Sequence, residues 1–255
     1  MNLNKKTLVG VTGATTKKEV EQLVDIFKRH HTNGTLLLNG ILINANAEGY
    51  LVKDNKRYPQ RSIVKELLPV DDRVVNILHI TKADDFNLAG VVAKILGDMG
   101  DNWQGIQLNV PWPSIDEMRL LRKQEIIKKK DPFIILQVDS SDFAKANTPK
   151  KLARQVVEYD RFIHHLLLDA SGGRGVDIDE KFICDCICEI RKCKPKFSIG
   201  IAGGLDGDGL LNLEKVIKHH KVSFDAADKL RCPQSGKLHM GKVEDYIAAA
   251  DLLIH

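Results

Sequence analysis

The amino-acid sequence predicts an α/β protein folded as a parallel eight-stranded (β/α)8 TIM barrel, and three observations lead there. Its 255 residues match the usual size of such a barrel. Short apolar runs alternate with amphipathic stretches eight times along the chain, at intervals of roughly thirty residues, the length of a strand-plus-helix unit. No low-complexity linker interrupts the series, which predicts a single domain over residues 1–255. Strands alternating with helices form a parallel sheet covered by those helices. Eight such units favour closure into a barrel over the alternative, an open doubly wound sheet.

The elements follow in order. Residues 7–11 are a short β-type run, and Val20, Leu23, Val24 and Phe27 stand at helical spacing within 17–30. A second β-like run covers 35–44, and 60–68 reads as helix that Pro69 ends. The third unit pairs strand 74–80 with helix 86–99, and the fourth pairs 105–108 with 115–129. The fifth is 133–138 with 150–159, and the sixth 163–169 with 179–192. The last two are 197–201 with 210–219 and 222–226 with 243–254.

Composition narrows the function classes. Hydrophobic residues make up 43% and charged residues 28%, as in ordinary globular proteins. The net charge of +4 comes from 38 basic and 34 acidic residues that are interspersed. That balance is too mild for a nucleic-acid partner but suits a small anionic substrate. No apolar run approaches the ~18 residues that would span a bilayer, so no membrane partner is expected. The polar N-terminus is not a signal-peptide pattern. The five cysteines are odd in number, with Cys184, Cys186, Cys188 and Cys193 crowded together, unlike a secreted disulfide framework. A cytoplasmic protein is expected; its oligomeric state is not legible.

The most informative stretch is Leu166-Leu167-Leu168-Asp169, a buried strand ending in a carboxylate, with the turn Ala170-Ser171-Gly172-Gly173-Arg174-Gly175 after it. The run Ile199-Gly200-Ile201-Ala202-Gly203-Gly204-Leu205 varies the same theme. A carboxylate at a strand's C-terminal end is where an α/β barrel keeps its chemistry, and glycines beyond a strand let backbone N–H groups approach an anion. A helix start near Gly209 adds further N–H groups. The expectation is an acid beside a phosphate pocket.

These motifs resemble those of the phosphoribosylanthranilate isomerase family, barrel enzymes of tryptophan biosynthesis. Asn55-Lys56-Arg57-Tyr58 is similar to the family's Ser-Lys-Arg-Tyr, and Ile106-Gln107-Leu108-Asn109 to its Val-Gln-Leu-His. Leu166 to Gly175 resembles the Leu-Leu-Leu-Asp strand and glycine turn, and Ala202 to Leu205 the Ala/Ser-Gly-Gly-Leu strand end. Gly241-Lys242-Val243-Glu244-Asp245 resembles the Gly-x-Lys-Asp before the last helix. The matches occur in family order over most of the chain.

The resemblance implies a sugar-phosphate isomerase performing an Amadori rearrangement without a cofactor. An acid protonates the ribose ring oxygen and a base removes the C2′ proton. It assigns Asp169 as the acid, Arg57 to the substrate carboxylate, Gln107 to the substrate site, and Gly203 and Gly204 to the phosphate. Two departures stand against it. Thr12-Gly13-Ala14-Thr15 replaces Cys-Gly-x-Thr, whose cysteine is the base, and Asp225-Ala226-Ala227-Asp228-Lys229 replaces Asp-Val-Ser-Ser-Gly. Thr12 has no ionisation comparable to a thiol, so His79 and Asp139, both at strand ends, are candidate bases. Lys229 can compensate in charge for the lost glycine. The alternative function is a diverged paralogue with another phosphorylated ligand or reaction, or a non-catalytic ligand-binding barrel.

Three further patterns give no site. The cysteine group lacks paired C-x2-C spacing, and on a helix Cys184 and Cys188 share a face while Cys186 points away, so no metal is expected. The pairs His30-His31, His164-His165 and His219-His220 fit packing at helix ends and strand faces. Asp206-Gly207-Asp208-Gly209 starts like a calcium loop, but no glutamate closes it, and it reads as a helix-entry turn.

Overall fold

In a computed structural model, which describes residues 3–30, 34–46, 49–50, 56–82, 87–169, 171 and 178–254, the chain forms a closed barrel of parallel strands ringed by helices. The first unit is β1 (Thr7–Thr12) with α1 (Lys17–His30). β2 (Thr35–Asn46) runs further than its sequence pattern suggests and pairs antiparallel with the two-residue β3 (Gly49–Tyr50). The other barrel strands are β4 (Val74–Lys82), β5 (Gly105–Asn109), β6 (Phe133–Val138), β7 (His165–Asp169), β8 (Ser198–Ala202) and β9 (Ser223–Ala226). They pair in the order β1-β9-β8-β7-β6-β5-β4-β2, and the parallel pairing of β1 with β2 closes the ring.

The helices depart from the expected pattern in instructive ways. Residues 60–68, expected as α-helix, contain the 3-10 helix Arg61–Leu67 instead. α2 (Leu88–Asp98) begins at an Asn87 cap whose side chain accepts from the Gly90 N–H. The single helix expected over 115–129 is two, α3 (Ile115–Lys123) and α4 (Glu125–Lys130), because Gln124 between them is extended. A helix not foreseen, α5 (Ser140–Ala146), precedes α6 (Pro149–Val157). α7 (Glu180–Lys192) is continuous, whereas the stretch after β8 divides into α8 (Gly207–Leu211) and α9 (Glu214–His220). α10 (Met240–Ile254) closes the ring against α1 and α8.

Two apolar layers hold the barrel. Because strand side chains alternate between faces, Leu166 and Leu168 join the core under the helices, whereas Leu167 points inward with Leu8, Leu38, Ile77, Phe133 and Ile135. That inner cluster plugs the lower barrel and leaves polar residues at the C-terminal strand ends. Among the described residues no helix is long and apolar enough to cross a membrane.

Candidate active site

The C-terminal mouth holds a cavity of about 220 Å3 lined by residues from all eight barrel strands and the loops beyond them. Thr12, His79, Asn109, Gln137, Asp169 and Asp225 face it, with Arg57, Gly203, Gly204 and Asp228 at the rim. A larger depression, about 810 Å3, lies at the opposite end. There Asp71, Asp72, Asp101 and Asp131 predominate, and Lys130 is taken up by Asp101, so it offers no comparable set of convergent groups.

Asp169, the last residue of β7, is buried and receives three hydrogen bonds from described residues. The Ser171 N–H and hydroxyl donate to Oδ1 at 3.0 and 2.8 Å, and Gln137 Nε2 donates to Oδ2 at 2.8 Å. Gln137 in turn accepts from Gln107 Nε2 at 2.9 Å. Gln107 is thus not part of the cavity wall; it lies in the layer beneath and acts on the site by orienting Gln137.

Asp225 is a cavity-lining carboxyl that the sequence did not single out. In register, Asp169 aligns with Ala202 on β8, and Ala202 aligns with Asp225 on β9. The two acids therefore sit at one level of the barrel, two strand spacings or roughly 10 Å apart at Cα, with only a methyl group between them. Thr12 Oγ1 lies 3.0 Å from each Asp225 oxygen. Burial is the largest influence on this carboxyl and, with the nearby charge of Asp169, pushes it up to about 7, against hydrogen bonds from Thr12 and Ala226. Glycines make the space: a Cβ on Gly10 would stand 2.5 Å from Asp225 Oδ1, and one on Gly40 would stand 2.1 Å from Thr12 Oγ1.

His79 lines the cavity, but burial, helped by the Arg57 charge, pushes its imidazole down to about 3. Asn109 Nδ2 is 3.2 Å from Nε2; with the amide donating, the ring proton is on Nδ1. The ring is therefore a neutral and weak base. Asp139 lies outside the cavity lining. It caps α5, its side chain accepting from the Ser141 and Asp142 N–H groups in a capping box.

The expected anion-binding groups divide. Gly203 and Gly204 reach the cavity with φ of +103° and +61°, conformations that favour glycine. The Gly209 N–H, expected to face an anion, instead bonds Asp206 Oδ1 at 2.9 Å. Arg57 forms a close ion pair with Asp228. Lys229 is half-buried in the short 3-10 helix Asp228–Leu230, outside the cavity lining. Asn55, His31, Phe86, Arg174 and the glycines at 172, 173 and 175 lie outside the described residues.

No protein-family model matches this chain, and no curated protein matches it. Among solved structures it is similar to phosphoribosyl anthranilate isomerase from Thermus thermophilus, with a TM-score of 0.64 at 14% identity over 96% of this chain and 98% of that one. The enzyme of the same name from Thermotoga maritima gives 0.64 at 15% identity with the same coverage. At this identity the likeness establishes the barrel fold.

Proposed function

We propose that this protein isomerises a phosphorylated sugar amine by an Amadori rearrangement, with phosphoribosylanthranilate, the substrate of tryptophan biosynthesis, as the first candidate. The observation that supports this reading is the pair Asp169 and Asp225, two inward carboxyls at one level of the mouth in different environments. Such pairs divide into acid and base according to which environment keeps the proton.

Asp225, buried and close to a neighbouring negative charge, keeps it near neutrality. Asp169, on which three donors converge, is the carboxylate. Asp225 then gives its proton to the ring oxygen as the C1′–O bond breaks and the nitrogen lone pair forms a C=N bond. Asp169 takes the C2′ proton, and the C–H electrons neutralise the iminium as an enol amine. Return of that proton to C1′, with loss of the C2′ hydroxyl proton to Asp225, gives the ketone and resets the pair. This reverses the role that the family resemblance gives Asp169. The physical reason is Thr12: where the family has a thiol base, this hydroxyl can only donate to Asp225, which makes it a positioning residue. Gly203 and Gly204 offer backbone N–H groups to the phosphate, and Lys229 adds positive charge nearby. Arg57 exchanges Asp228 for the substrate carboxylate.

That ion pair also favours a second reading, a paralogue acting on a different phosphorylated ligand, because Asp228 introduces a negative charge at the rim. Loss of phosphoribosylanthranilate fluorescence tests both. Wild type should consume it, and Asp169→Asn and Asp225→Asn should each slow turnover by ~10²–10⁴-fold. Wild type that binds sugar phosphates without consuming this one would select the second reading.

A further inference from the structure

Outside the lining of the mouth cavity, on the outer ring of helices, Cys184, Cys188 and His220 bring three ligand atoms within 4.8 Å of one another. Cys184 and Cys188 are four residues apart on α7, so their sulfurs share one face. His220 is the last residue of α9, 32 positions beyond Cys188 in sequence. Its imidazole is buried, its backbone carbonyl accepts a close hydrogen bond from Arg191 on α7, and His219 packs edge-on against its ring at 4.6 Å. The ring is therefore held in place. Its Nε2 lies 3.3 Å from Cys184 Sγ and 4.0 Å from Cys188 Sγ.

Those separations have a specific chemical meaning. A tetrahedral zinc ion with Zn–S of ~2.3 Å and Zn–N of ~2.0–2.1 Å sets sulfur and nitrogen ~3.6 Å apart. The two observed distances bracket that value. Both cysteines are partly exposed, so water can complete the coordination. Two thiolates and an imidazole select a soft or borderline d10 cation over calcium or magnesium, which prefer oxygen ligands. The sequence pattern hid the site because the third ligand comes from another helix.

We propose that Cys184, Cys188 and His220 form a zinc site that clamps α7 to α9. Binding releases the two thiol protons to solvent, so affinity falls with falling pH. Because the unfolded chain lacks the arrangement, the ion raises the melting temperature.

The test is titration of the full chain, stripped with a chelator and kept reduced by a phosphine, with Zn2+ against a chromophoric competitor and with Co2+ followed by absorption. The expected result is one equivalent of zinc, a thiolate-to-cobalt charge-transfer band and tetrahedral d–d bands. Cys184→Ser and Cys188→Ser should each weaken binding by more than the ~10–100-fold that loss of an outer partner costs. Cys193→Ser should bind as wild type does. His220→Gln keeps both sulfurs and should lose the tetrahedral bands. Circular dichroism of each variant separates a lost ligand from a lost fold. Absence of stoichiometric binding, cobalt binding without thiolate charge transfer, or full affinity in folded Cys184→Ser and Cys188→Ser would each overturn the proposal.

Discussion

Burial holds the Asp225 carboxyl at about 7, so this residue makes stability depend on pH. The folded state keeps its proton to a higher pH than the unfolded chain, whose carboxyl has the ordinary value. Stability is therefore highest below about pH 4 as far as this group is concerned, and is lost as pH rises toward 7. The loss is on the order of 4 kcal/mol. Asp225→Asn should remove that slope and unfold at higher denaturant than wild type at pH 8, while losing turnover; an unchanged slope in urea titrations at several pH values would refute the assignment. At this scale Asp169 was legible, because three leucines and a following turn mark a strand end. Asp225 was not: a lone carboxylate in Phe224-Asp225-Ala226 has no meaning until strand register sets it opposite Gly10 and within reach of Thr12. His79 was visible as a polar strand residue whose apolar neighbours already favoured a core position, and burial there leaves it neutral.

At the scale of elements, the carboxylate expected as a candidate base serves a helix. Asp139 bonds two N–H groups at the start of α5. Asp139→Ala should cost about 1 kcal/mol of stability, as cap removals do, and leave kcat/KM within a few fold; a loss of turnover as large as that of Asp169→Asn would return it to the chemistry. The sequence concealed α5 because seven residues hold too few apolar positions to show helical periodicity. It likewise merged α3 with α4 and α8 with α9, since in both pairs the apolar spacing continues across the break. What interrupts them is backbone geometry, the extended Gln124 in one case and the non-helical Leu213 in the other. Strands were clearer, since a fully buried parallel strand is an unbroken apolar run.

Across the whole molecule, eightfold repetition made the barrel readable even though single helices were misjudged, because an error in one unit leaves seven others to fix the architecture. The site was readable only in part, since it is assembled from strand ends whose neighbours depend on register and closure. If the mouth takes a phosphate ester, ligand at a hundred times its Kd should add about 2.7 kcal/mol to stability and raise the melting temperature. Gly204→Asp, which sets a charged side chain at a position with φ of +61°, should abolish the rise; an equal rise in that variant would move the anion elsewhere. The central claim is that Asp169 and Asp225 work with one shared proton, and the most direct measurement is the pH dependence of kcat/KM on phosphoribosylanthranilate. The account predicts that wild-type kcat/KM falls as pH rises through about 7, where the pair loses its proton, and that Asp225→Asn is slow throughout and lacks this limb. A wild-type profile flat across neutrality, or an Asp225→Asn variant with the same falling limb, would contradict it.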